Sequence, residues 1–231
     1  MNISRRLRAA ISVLVLSFLI LPHTALAWTD PLDHKNDVFR DPIVSADGKI
    51  ITVLKKVHGD PHEHVMVYEK GSATPTWEYK PDGMVFGLGM SADSKTIVAV
   101  GAKIWVLNRT TKKAIWKKQI GTSVFDTVAL AENGSQIAAG DRRGTVYLFN
   151  RTSSKPIKTW DVAPREDGIF SLDVSKDGKT IIAGTKKSVN FIKKSRGLIW
   201  KDSIGTTKVY HVRLSSDGTR ALAATKNKIY Y

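Results

Sequence analysis

The chain has 231 residues, with 36 Lys+Arg against 21 Asp+Glu, a formal net charge of +15 and no cysteine. The missing thiols exclude disulfides, thiolate metal sites and a lipid-modified N-terminal cysteine. The charge excess favours polyanions, anionic headgroups or acidic proteins as partners.

Residues 1–27 read as an address. Arg5, Arg6 and Arg8 stand in a start without acids, Ala9 to Leu21 is an apolar run, and Ala25-Leu26-Ala27 is a small-x-small cleavage pattern. That layout predicts a secretory signal peptide cut after Ala27, with a retained anchor as the alternative. The apolar run is short of the roughly 20 residues that span a bilayer, so no stable transmembrane segment is expected after cleavage. The protein is expected to be exported to a periplasmic, cell-surface or extracellular location. Without the three signal arginines the net charge is +12. Residues 28–231 suit one domain built as a large β-fold.

From residue 38 onward one unit recurs. It begins "VFRDPIVSADGKIITV" at Val38, "VFGLGMSADSKTIVAV" at Val85, "VFDTVALAENGSQIAA" at Val124, "IFSLDVSKDGKTIIAG" at Ile169 and "VYHVRLSSDGTRALAA" at Val209. The units span approximately 38–77, 85–116, 124–160, 169–200 and 209–231. Each has an aliphatic–aromatic pair (Phe39, Phe86, Phe125, Phe170, Tyr210), an alternating run, a turn of the Ser-x-Asp-Gly kind and a second apolar run. Four continue into a third run and close on Trp77, Trp116, Trp160 or Trp200. Short runs rich in Val, Ile, Phe and Tyr, bounded by Asp-Gly or Asn-Arg-Thr turns, predict an antiparallel meander. Four such strands, a to d, cannot bury their faces alone. Their recurrence at a nearly constant interval predicts propeller blades stacked around an axis. The nine periodic aromatics are expected to be packing residues.

The fold class expected is therefore all-β, a β-propeller of about five four-stranded blades. The last blade is incomplete, because "NKIYY" stops within strand c. The alternatives are one stretch of a six- to eight-bladed ring, or an open arc completed by a partner. Trp28 precedes Phe39 by nearly the interval that separates each blade Trp from the next aromatic, so it aligns with the end of a strand d.

The segments "NRTTKKAIW" (108–116) and "NRTSSKPIKTW" (150–160) resemble the strand c–d turn and closing Trp of the quinoprotein (PQQ)-type propeller repeat. The recurrent Ser-x-Asp-Gly turn resembles WD40-like and TolB-like repeats. The resemblance implies a propeller superfamily, and as an alternative function a degenerate or partial quinoprotein-type oxidoreductase. A working quinoprotein would need a stacking Trp and calcium-binding groups at the axis, and the sequence identifies no such set. No Gly-x-Ser-x-Gly, His-Glu-x-x-His or phosphate-binding glycine loop is present. No catalytic residue and no cofactor are assigned, since a fold does not imply an activity.

Two features remain as candidate sites. "HGDPHEH" (58–64) is a lengthened b–c loop of the first unit, and His58, Asp60, His62 and His64 offer nitrogen and carboxylate ligands suited to a divalent transition metal. The competing reading is a solvated polar turn. Second, the b–c loops carry Lys55, Lys56, Lys103, Arg142, Arg143, Lys186, Lys187, Lys226 and Lys228. If the blades stack, these cations share one face where their potentials add. A protein or anionic ligand is the expected partner of that face, and nucleic acid is not expected because no exposed aromatics interleave the charges. The function expected is a non-enzymatic, exported interaction or ligand-binding scaffold.

Overall fold

The computed structural model describes residues 37–205 and 207–231. The signal-peptide assignment and the alignment of Trp28 lie outside the described residues. Those described form antiparallel sheets in chain order, with no helix among them. No helix long and apolar enough to cross a membrane occurs among them either.

The first sheet is β1 (Val38–Val44), β2 (Ile50–Lys56), β3 (Glu63–Glu69) and β4 (Trp77–Tyr79). The second is β5 (Val85–Met90), β6 (Thr96–Gly101), β7 (Ile104–Asn108) and β8 (Lys113–Lys118). The third is β9 (Phe125–Leu130), β10 (Gln136–Asp141), β11 (Thr145–Asn150) and β12 (Pro156–Asp161). The fourth is β13 (Ile169–Val174), β14 (Thr180–Thr185), β15 (Ser188–Lys193) and β16 (Gly197–Ser203). The fifth has three strands, β17 (His211–Leu214), β18 (Ala221–Ala224) and β19 (Ile229–Tyr230). Each sheet is a simple meander in which consecutive strands pair.

The first strands of successive sheets lie side by side, β1 by β5, β5 by β9, β9 by β13 and β13 by β17. This is a propeller-like arrangement. The ends of all five first strands line one cavity of about 410 Å³, from Val44 and Met90 to Leu214. Backbone bonds link neighbouring turns around it, Ala92 N to Glu132 O (2.9 Å), Glu132 N to Lys176 O (3.2 Å) and Lys176 N to Ser216 O (2.9 Å).

Packing between sheets explains the sequence runs. Strands β6 and β14 are buried at every residue, because a neighbouring sheet covers each face. Their sequences, "TIVAVG" and "TIIAGT", are accordingly near-continuous apolar runs and not alternating ones. The outermost strands β8 and β16 are mostly exposed and carry the lysines. One apolar cluster joins each pair of neighbouring sheets, for example Val98, Val100 and Ile104 against Phe125, Ile137 and Phe149. Glycines at the end of the second strands permit this approach. A Cβ on Gly140 would stand 2.5 Å from Ile169 of the next sheet, and one on Gly184 2.6 Å from Val209.

The recurrent turn has a common chemistry. Ser45, Ser175 and Ser215 donate their hydroxyls to Asp47, Asp177 and Asp217 at 2.5–2.7 Å. The same serine oxygens accept backbone N–H groups from the next strand. Gly48, Gly178 and Gly218 take positive φ there, which glycine does without steric cost. The second sheet keeps this turn with Ser91 and Asp93, yet Ser94 occupies the glycine position at φ 55°.

The periodic aromatics divide by position. Phe125 is fully buried, and Trp77, Trp116 and Trp160 are partly buried against the inter-sheet clusters. Phe86 and Phe170 are half-buried with a cation over each ring. Phe39 in β1, Trp200 in β16 and Tyr210 directly before β17 are 42–47% exposed. Trp116 is covered by Phe149 of the following sheet at 5.5 Å and donates to Arg151 O at 2.7 Å. Trp200 instead lines a groove that Ile229 and Tyr230 of β19 also border.

Candidate functional site

The His58–His64 stretch joins β2 to β3 and is a hydrogen-bonded string. Asp60 Oδ1 accepts the His62 backbone N–H at 3.0 Å, an Asx-type turn across Pro61. Asp60 Oδ2 lies 2.9 Å from His64 Nε2, and Glu78 Oε1 of β4 lies 2.6 Å from His64 Nδ1. The His62 N–H, then His64, hold the Asp60 carboxyl below its ordinary range. His58 enters through its backbone N–H, which donates to Asp37 at 3.0 Å. His64 is almost fully buried with a carboxylate on each ring nitrogen. Those nitrogens sit on opposite edges of the imidazole, so the three groups face one another in a line and not around a common point. Among the described residues no three His, Asp or Glu groups are placed to hold a metal ion. Glu78 is part of this string although the loop sequence does not contain it; its signal is visible only once β3 and β4 pair Met66 with Glu78.

The b–c loop cations do not form a uniformly basic face. In each of the first four sheets a cation is held by an acid from the start of its own sheet. Lys55 Nζ is 3.0 Å from Asp37, Lys103 Nζ is 2.8 Å from Asp82 and Lys187 Nζ is 3.1 Å from Asp167. Arg142 grips Asp126 with two nitrogens at 2.9–3.0 Å while its guanidinium lies 4.6 Å from the Phe86 ring centroid. That fork geometry is the strong form of such a pair and raises the Arg142 pKa further. Lys55 is itself buried beside Phe39. Asp82 receives Lys103, Trp105 and Lys117, in that order of effect, and its carboxyl is held far below the usual carboxylate range. Trp105, wholly buried, is thereby anchored through its indole N–H at 2.9 Å.

The fifth sheet breaks the rule. Where the others carry an acid before or within their first strand, it carries Lys208. Lys208 is half-buried, with Nζ 3.7 Å from the Phe170 centroid and 5.4 Å from that of Tyr210. Among the described residues no acid stands within ion-pair distance of Lys208, Lys226 or Lys228. Lys56, Arg143 and Lys186 also lack an acid partner there, although Arg143 donates to Thr122. The surplus charge thus concentrates around Lys208, Lys226 and Lys228, with Lys186 on the sheet before. Sequence reading does not single out Lys208, because it lies outside the b–c loops; its signal is that residues 203–216 contain no acid, whereas each earlier unit has one near the start of its first strand. Comparison of the sequence with family models and with curated proteins finds no match.

Proposed function

We propose that the protein is an exported, non-enzymatic β-propeller module of WD40-like or quinoprotein-like ancestry, its five sheets standing as blades, and that it binds an anionic partner at the fifth sheet. One observation carries this reading. Four sheets neutralise a loop cation with an acid near the start of their own first strand, and the fifth has no acid there and carries Lys208, with Lys226 and Lys228 in its b–c loop. Cations already paired gain little from a new anion, whereas Lys208, Lys226 and Lys228 keep their field. Their grouping on one sheet suits steering of an acidic surface, with a strong dependence on ionic strength.

The experiment is binding of fluorescent poly-glutamate to the full chain between low and physiological salt. Lys208→Glu combined with Lys226→Glu is expected to weaken binding at least tenfold at low salt. Lys113→Glu combined with Lys118→Glu, on the exposed outer strand of the second sheet, carries the same change in net charge and is expected to change it less than threefold. Equal losses in both variants would show attraction by net charge alone and overturn the assignment.

A further inference from the structure

The third sheet carries a pocket of about 370 Å³ beside its b–c loop, the size of a site for one small molecule. It lies between that loop and the connection that follows β12. Gly144, at φ 82°, permits the closeness, because a Cβ there would collide with the Ala163 carbonyl. The Gly144 oxygen accepts the Val162 and Ala163 N–H groups at 2.9 and 3.2 Å. Arg143 of the loop and Arg165 of the connection thereby line one space.

The equivalent position in the neighbouring sheets is filled differently. Trp105, Tyr147 and Asn190 stand opposite Ala99, Ala139 and Ala183 in the same register. The Trp105 indole is wholly buried and bonded to Asp82, and the Asn190 amide donates to Ala183 O and Ser188 Oγ. Tyr147 brings a phenol to the pocket wall, and the fully buried Asp141 holds it. Asp141 Oδ1 accepts the Arg143 and Thr145 N–H groups at 3.0 and 2.9 Å, and its Oδ2 accepts the Tyr147 hydroxyl at 3.2 Å. Burial, opposed by Ser123 and reinforced by Asp141, raises the Tyr147 pKa, so the group stays a neutral hydroxyl. Its oxygen lies 3.4 Å from Ser123 Oγ, and Thr145 donates to Asp161 Oδ1 at 2.7 Å. These three hydroxyls and Asp161 line the pocket with the two arginines.

Charge and hydrogen-bonding capacity narrow the ligand. Neither arginine has an acid within ion-pair distance among the described residues, and Arg143 is steadied by donation to Thr122. Two guanidiniums against the Asp161 carboxylate leave the lining one positive charge, which suits a monoanion and opposes a dianion. A guanidinium meets a carboxylate through parallel N–H groups, the strong form of such a pair. A bare carboxylate would leave the hydroxyls and Asp161 unused, whereas ligand hydroxyls can donate to Asp161 and accept from Ser123. We propose that this pocket binds a monocarboxylate bearing several hydroxyls, the chemistry of a uronic acid, with its carboxylate on Arg143 and Arg165 and its hydroxyls on Ser123, Thr145 and Asp161. The site lies on the third sheet and stands independently of the anionic partner of the fifth.

The probe is sodium glucuronate, titrated into the full chain and followed by calorimetry and by backbone amide chemical shifts. Saturable binding is expected with a Kd on the order of 1 mM or below. Glucose and acetate, each lacking one half of the recognition, are expected to bind at least tenfold more weakly. The Ser123, Arg143 and Thr145 amides are expected to shift. Arg143→Gln with Arg165→Gln is expected to weaken glucuronate at least tenfold at an unchanged melting point, since neither side chain belongs to an inter-sheet cluster. Lys113→Glu with Lys118→Glu, a larger change in net charge, is expected to alter it less than threefold. Ser123→Ala is expected to weaken glucuronate several-fold and to leave acetate unchanged. Absence of saturable binding, acetate binding equal to glucuronate, or shifts confined to other amides overturns the proposal. So does unchanged affinity in the double-arginine variant, or an equal loss in the Lys113 and Lys118 variant, which would show attraction by net charge alone.

Discussion

Gly184 tests whether the fourth and fifth sheets are as closely packed as they look. It sits in β14 with every neighbour buried, and its φ lies outside the left-handed region, so alanine suits the backbone. Two effects oppose each other. Alanine restricts the unfolded chain and by itself stabilises by about 0.4–1 kcal/mol. Against this, its Cβ would stand 2.6 Å from Val209 Cγ1, 2.9 Å from Val209 Cβ and 3.1 Å from Val212 Cγ1. Carbon atoms prefer about 3.5–4.0 Å, so overlap approaches an ångström at Val209, which is fully buried and tied to the backbone at Cβ. Overpacking of this kind costs about 1–3 kcal/mol. The clash wins, and Gly184→Ala is expected to destabilise by roughly 1–2 kcal/mol net. At about 2–4 °C per kcal/mol for a chain of this size, the midpoint of a circular dichroism melt should fall by roughly 2–8 °C. Val209→Ala removes Cγ1 and should make the pair sub-additive, with a coupling of about 0.5–1.5 kcal/mol. A higher melting point for Gly184→Ala, or strict additivity with Val209→Ala, would refute the close approach.

Further outcomes follow from particular contacts. Ser94→Gly is expected to raise stability by up to about 1 kcal/mol in urea unfolding, because Ser94 holds a left-handed φ of 55° where the four other turns place glycine; a loss would show that the serine side chain matters more than its backbone. Trp116→Phe keeps the ring against Phe149 but leaves Arg151 O without its 2.7 Å donor. It should cost about 1 kcal/mol in the same assay, and no cost would mean that water replaces the donor. Lowering the pH should weaken the turns. The Ser45 hydroxyl for Asp47, the Lys179 N–H for Asp177 and the Ser215 hydroxyl for Asp217 hold these carboxyls below 3.8, Asp217 at about 2. A carboxyl depressed in the folded state stabilises it fully above its unfolded value, and that contribution disappears as pH falls through the folded one. The urea midpoint should therefore decline between about pH 4 and pH 2, and Asp217→Asn should flatten part of that slope. An unchanged slope would show that these bonds do not persist in solution.

The sheets were legible in the sequence because their determinants are local and repeated. Ser-x-Asp turns, closed by hydroxyl, carboxylate and a positive φ, mark every first hairpin but the third. There Ala131 replaces the serine, and the turn closes through Asn133 and Gly134. The continuous apolar runs of β6 and β14 announced strands covered on both faces. The exposure of Trp200 was not legible, since it depends on what the next sheet lays against the indole and not on the tryptophan's own neighbours in sequence.

Charge shows the same division. Composition alone established the basic excess, and the repeat alone put cations in every b–c loop. Which of them keep their field depended on acids distant in the chain, Asp37, Asp82, Asp126 and Asp167, brought back by the antiparallel ladder to the loop of their own sheet. An ion pair needs its atoms within about 4 Å, and only the folded ladder supplies that distance. For the same reason His64, which reads in sequence as one of a cluster of ligands, becomes in three dimensions a buried ring held between Asp60 and Glu78. Strand identity follows from local chemistry, whereas pairing, burial and net field are properties of distances that only tertiary structure decides.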